Sequence, residues 1–207
     1  DGIVASKLKV ATLGFANLDT ATLKAKGVRI RPGASATNDL EPEYIAVDPN
    51  SAYAYVTLQE NNAVLKINIA NFAKLLNNQA FVFQNEDVFP LGSQDHGTVF
   101  LDPSDRDSAV TFRVAANIFG LRMPDGIVSF EARDGQVYFA TANEGDSRDT
   151  DAYSDEARFS SRTLSPGAFP NGNDLKSQTL FGRLTVSTVD GETSPGSNIH
   201  SQVFAFG

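Results

Sequence analysis

A chain of 207 residues with 41% apolar content and a formal charge of −8 can bury a core and excludes disorder over most of its length. The acidic balance lacks the clustered Lys and Arg a nucleic-acid partner requires, and no apolar run reaches the roughly 20 residues needed for a transmembrane segment. The absence of cysteine excludes disulfides, thiol nucleophiles and cysteine zinc sites.

Fifteen Phe, five Tyr, sixteen Gly and nine Pro, with no Trp, suit short strands separated by turns, so the expected class is all-β. In chain order, a strand is expected near Leu8 to Phe15 and a short helix or turn around Ala21 to Lys26. Pro42 to Val47 and the run ending at Glu60 read as a hairpin around Asp48-Pro49-Asn50-Ser51, with a third strand from Ala63 to Ile69. A short amphipathic helix from Ala70 to Leu76 and a strand from Ala80 to Gln84 follow. Pro90 to Arg122 and Thr150 to Leu180 are rich in Gly, Asp, Ser and Pro and read as decorating loops, apart from a strand at Ala109 to Val114. Further strands are expected at Arg183 to Thr188 and Gln202 to Phe206.

Between the two loop regions, Met123 to Ser147 repeats the plan of Glu41 to Ala63. Pro42-Glu43-Tyr44-Ile45-Ala46-Val47 matches Pro124-Asp125-Gly126-Ile127-Val128-Ser129, and Val56 to Asn62 matches Ala140 to Asp146. Pro fits at a strand's first residue, where its missing N–H costs no ladder bond. The repeat reads as blades of a partial β-propeller, at about 40–70 and 122–150, with insertions at about 90–121 and 150–180. Two unrelated hairpins of a β-sandwich are the alternative. Too few blades are visible to close a ring, so the remaining blades of the same protein, or partner chains, are expected beside this one. The start at Asp1 and the ending Phe204-Ala205-Phe206-Gly207 suggest a segment of a longer, processed protein.

Glu43, Glu60, Asp125, Glu144 and Asp146 fall at strand ends or adjacent turns of this plan. Carboxylates held together raise one another's pKa unless a cation intervenes, and calcium takes six to eight oxygens from such groups. Gln59, Asn61 and Asn143 would add carbonyl ligands. The alternative is that these groups cap turns and pair with arginine or solvent. Arg148 could clamp a phosphate or carboxylate. Asp102, Asp105 and Asp107 form a second acidic cluster on a tight loop, without the EF-hand pattern. No Gly-x-Ser-x-Gly elbow accompanies His96 and His200, which disfavours a Ser-His-Asp hydrolase. His200, in a Ser/Gly-rich connection, is expected at the surface.

Gly27-Val28-Arg29-Ile30, Leu40 to Val47, Ala54 to Asn62, Pro124 to Ile127, Thr141 to Asp149 and Gly182 to Val186 resemble the choice-of-anchor I proteins, a family of surface or secreted propellers with blades of the YVTN/lactonase type. The islands run in family order over most of the chain, but Gln94-Asp95-His96 stands where the family tends to carry Lys-Asp-His, which puts a metal role for His96 in doubt. The resemblance implies a secreted, periplasmic or cell-surface location and a calcium-binding module for surface attachment, matrix or ligand binding. It also implies an alternative, a calcium-dependent phosphomonoesterase acting on a phosphate ester, because the family is related to an atypical cyanobacterial alkaline phosphatase.

Overall fold

A computed structural model describes residues 10–77 and 80–206. Among the described residues four helices and fifteen strands succeed one another: α1 (Thr20–Lys26), α2 (Ala36–Asp39), β1 (Pro42–Val47), β2 (Tyr53–Leu58), β3 (Ala63–Asn68), α3 (Ile69–Leu75), β4 (Val88–Pro90), β5 (Ser93–Asp95), β6 (Ile118–Leu121), β7 (Pro124–Glu131), β8 (Val137–Asn143), β9 (Asp149–Thr150), β10 (Tyr153–Ser154), β11 (Glu156–Arg158), β12 (Thr163–Leu164), α4 (Gly172–Leu175), β13 (Thr185–Ser187), β14 (Ile199–His200) and β15 (Val203–Phe206). The chain is mostly β with few helices, as its composition requires, and no sheet among the described residues closes on itself. Two compact units divide it.

The first unit takes the described residues up to Leu91 together with Pro124–Ala142. Its main sheet is a four-stranded antiparallel meander, β1-β2-β3-β4. Alternation on β2 and β3 explains why both faces are covered. Val56, Leu58, Ala63 and Leu65 enter a core with Leu23, Val28, Leu40, Phe83 and Val88, while Tyr55 and Val64 turn the other way onto Ile127 of β7. Burying one such aliphatic side chain contributes about 2 kcal/mol. The β1–β2 register shifts between Pro42 and Ile45, where Thr57 Oγ1 accepts from Tyr44 N at 3.0 Å. The second hairpin, β7–β8, turns through Ala132 and Gln136, with Ala132 N donating to Gln136 O at 2.9 Å. Ser129 Oγ donates to Val47 O at 2.6 Å, tying β7 to β1.

The helices follow their local signals. Asp19 caps α1 through Thr22 N at 2.7 Å, and Gly27, at φ 99°, ends it in the left-handed region that glycine reaches without steric cost. Asn68 caps α3 through Asn71 N.

The second unit takes Gly92–Met123 and the described residues from Asn143 onward. Its five-stranded sheet has the order β11-β13-β15-β6-β5, with β15 and β6 parallel. Ile118, Phe159, Phe181, Val186, Val203 and Ala205 form its core.

Three sequence expectations fail here. Residues 10–14 carry no strand, and Leu8 and Lys9 lie outside the described residues. Residues 80–84 are likewise irregular, and Ala109 to Val114 makes only an isolated bridge through Arg113 to Leu101. Alternating Phe81 and Phe83 resemble a strand, yet they serve as anchors: Phe83 stacks on Phe15 at 5.6 Å between centroids. Conversely, β5 and β6 lie inside a stretch whose composition reads as loop. Ile118 and Leu121 are buried, so a short apolar run outweighs the surrounding Gly and Asp.

Candidate functional site

The carboxylates expected to gather divide between the two units. In the first, Glu43 stands exposed in the β1 bulge, Asp125 is half-buried at the start of β7, and Glu60 is buried just beyond β2. Antiparallel pairing of β1 with β2 puts Glu43 and Glu60 at one end of the meander. In the second, Glu144 and Asp146 are exposed. Glu144 N donates to Met123 O at 3.2 Å, and the Asp146 carboxylate accepts from Ser147 N at 2.7 Å. Among the described residues no group of three or more His, Asp or Glu stands close enough to hold a metal ion.

The Gln59-Glu60-Asn61-Asn62 segment makes a buried polar knot. All four residues are buried. Asn61 Nδ2 donates to Arg29 O at 2.7 Å and Asp39 O at 2.8 Å, and its Oδ1 accepts from Glu41 N at 3.1 Å. The Arg29 guanidinium donates to Glu60 O at 2.8 Å. Asp39, itself buried, holds Arg31 through Nε at 3.2 Å. Asn62 adopts φ 51°, a conformation Asn tolerates better than bulkier residues, and its carbonyl accepts from Leu91 N. The Asn61 amide, read from the sequence as a cation ligand, satisfies backbone groups of Arg29, Asp39 and Glu41.

Arg148, expected to clamp a phosphate or carboxylate, is buried against the equally buried Asp155, with Nη1 3.7 Å from the carboxylate. Backbone bonds reinforce the pair: Asp155 N donates to Arg148 O, and Arg148 N to the Asp155 carboxylate at 3.2 Å. Asp155 carries no signal in the sequence beyond being a carboxylate seven positions after Arg148.

In the loop of residues 102–107, Asp105 pairs with Arg183 and Asp107 with Arg113. Asp105 accepts from Arg183 Nε at 3.0 Å and Nη2 at 3.3 Å, which holds its carboxyl below the ordinary range. Asp107 is lowered first by a hydrogen bond from Thr111, with smaller help from Ala109 N and Arg113. Arg158 lines the same hollow as Asp102, Asp105 and Arg183 and is positioned by Thr185 Oγ1 at 3.0 Å.

Both histidines are internal. His96 Nδ1 lies 3.0 Å from Val99 O. His200 is fully buried, which corrects its expected surface position: pairing of β14 with β12 draws the ring inside although its neighbours Ser201 and Asn198 are polar. No helix among the described residues is long and apolar enough to cross a membrane.

No curated protein and no solved structure matches the chain. The profile of the choice-of-anchor I domain, a surface-anchoring type of domain, matches residues 2–207, and the chain therefore belongs to the choice-of-anchor I family.

Proposed function

We propose that this chain is the blade-bearing part of an extracellular surface-attachment module, built as a partial β-propeller and completed by further blades of the same protein or by a partner chain. The recurrence of one hairpin plan within the first unit, at Pro42 and again at Pro124, carries this reading. The meander β1-β2-β3-β4 has the strand order of a blade. The β7–β8 hairpin exposes Val128 at 59%, Phe130 at 43% and Tyr138 at 47%. A two-stranded sheet is marginal alone in water, and a contiguous apolar surface favours cover. Membership of the choice-of-anchor I family supports the attachment reading. Calcium at the Glu43 and Glu60 end of the meander is part of the same reading.

The phosphomonoesterase alternative draws no comparable support, since Arg148 is engaged with Asp155 and both histidines are internal. Fluorescently labelled chain incubated with washed cell envelopes, in parallel with p-nitrophenyl phosphate turnover, separates the two. Saturable envelope retention without turnover is expected. Turnover without retention would sink the attachment reading.

A further inference from the structure

The second unit holds a histidine that surface attachment does not use. His200 is 0% exposed, and its Nδ1 lies 3.2 Å from Asp190 O. A carbonyl only accepts, so the proton sits on Nδ1 and Nε2 is left as a bare acceptor. Nε2 is buried without a hydrogen-bond partner, and so is Nε of Arg162, a cation that acts on the ring from the segment entering β12. The other charges facing the ring are Asp190 and Glu192, in the loop leading to β14. Both are already engaged: Asp190 accepts from Ser187 Oγ at 2.7 Å, and Glu192 accepts from Gly196 N at 2.7 Å and Asn198 N at 2.8 Å.

His200 also sits behind a wall. β14 pairs with β12 through Thr163↔Ile199 and Leu164↔His200, and Ser165 N donates to His200 O at 2.9 Å. Thr163 and Leu164 line a hollow of about 520 Å³ that Asn171, Asp174 and Lys176 also border. On the other side, Thr193 N donates to Ile199 O and Ser201 N to Gly191 O. Gly191 has φ 81°, and a Cβ there would collide with Gln202 O, so this loop has one tight way to close.

We propose that His200 is an acid-sensitive latch: neutral, it holds the loop of residues 189–202 against β12 and keeps the hollow's wall in place, and protonated, it releases both. Protonation creates an Nε2–H donor with no acceptor and a second positive charge beside Arg162 in a buried site, and both are costly there. Burial accordingly lowers the ring's pKa in the closed state, the first cause, with Arg162 adding to it against the bond to Asp190 O. An opened ring titrates near about 6.5. Below that value the open state takes up a proton that the closed state refuses, so closure is fully favoured above about 6.5 and weakens as pH falls, by up to about tenfold per pH unit.

The test uses the whole chain. It contains two histidines, so their ring resonances are separable by NMR as pH is lowered, while hydrogen exchange follows the amides of Ser165, Thr193 and Ser201. After correction for the intrinsic chemical rate, exchange at these amides should accelerate by up to about tenfold between about pH 7.5 and about pH 5.5, with the β2–β3 amides unchanged. The His200 ring should titrate below the ordinary range. His200→Gln, which cannot titrate, should abolish the pH dependence. Equal pH dependence in His200→Gln and the parent chain overturns the latch. If that variant fails to fold, the parent chain decides alone: a ring titrating near about 6.5 with unchanged amide protection rejects the proposal.

Discussion

Asn61 and Arg29 grip each other in both directions: the Asn61 side-chain amide donates to Arg29 O at 2.7 Å, and Arg29 N donates back to Asn61 O at 2.9 Å. The same amide reaches Asp39 O, and its carbonyl accepts from Glu41 N. One side chain thus closes the turn after β2 onto the segment from Arg29 to Glu41. Asn61→Ala leaves several of these backbone groups without a partner, at about 1–3 kcal/mol for each one fully buried. Because the losses are not independent, an overall destabilisation of about 3 kcal/mol is expected. A urea midpoint that falls with an unchanged m-value would register it, and a midpoint equal to the parent's would refute it.

Arg148 and Asp155 pose a different energetic problem, because both are buried ions. Removing one partner strands the other, so Arg148→Leu should cost about 3–5 kcal/mol. Arg148→Leu with Asp155→Leu should recover much of that loss, because apolar groups of similar volume need no counter-charge. Chemical denaturation of the single and double variants checks the ordering. A double variant less stable than either single one would mean that the pair does more than neutralise itself.

Acid should weaken the fold through specific carboxylates. Asp19 is held below its ordinary range mainly by Thr22, Asp105 by Arg183, Asp107 by Thr111, and Asp134 by Gln136 N and then the Tyr138 hydroxyl. A depressed folded-state pKa adds stability above the unfolded value, near about 3.9, and that stability is lost as pH falls below it. Urea midpoints should therefore drop between about pH 4.5 and about pH 2.5. Asp105→Asn should make that drop shallower. A variant with the parent's acid slope would remove Asp105 from the account.

Exposed apolar groups on the first unit set its solution behaviour. Ile45 and Val128 are 56% and 59% exposed, so Ile45→Thr with Val128→Thr should change stability by only about 0.5 kcal/mol at each site. Self-association of the isolated chain should nonetheless fall, because a smaller apolar patch drives less contact. Sedimentation over a concentration series decides this. Unchanged association would place the contact elsewhere.

The sequence alone determined the elements whose signals are local. Pro42 and the Asp48-Pro49-Asn50-Ser51 turn set out the first hairpin and the strand from Ala63, and the repeat of that plan from Met123 set out the second hairpin; all three stand where the residues placed them. The family was legible in the same islands. Tertiary structure decided what each polar group does. Asn61 and Arg148 carry the residue types of a ligand site, but whether an amide faces a cation or a backbone carbonyl depends on what distant chain lies against it. The bond from Asn61 to Arg29 spans 32 positions. His200 became internal for the same reason, through pairing with Leu164. Hydrophobic period and turn chemistry act over a few residues and are written along the chain. Desolvation and hydrogen-bond satisfaction depend on which segments meet, and only the packed chain brings those segments together.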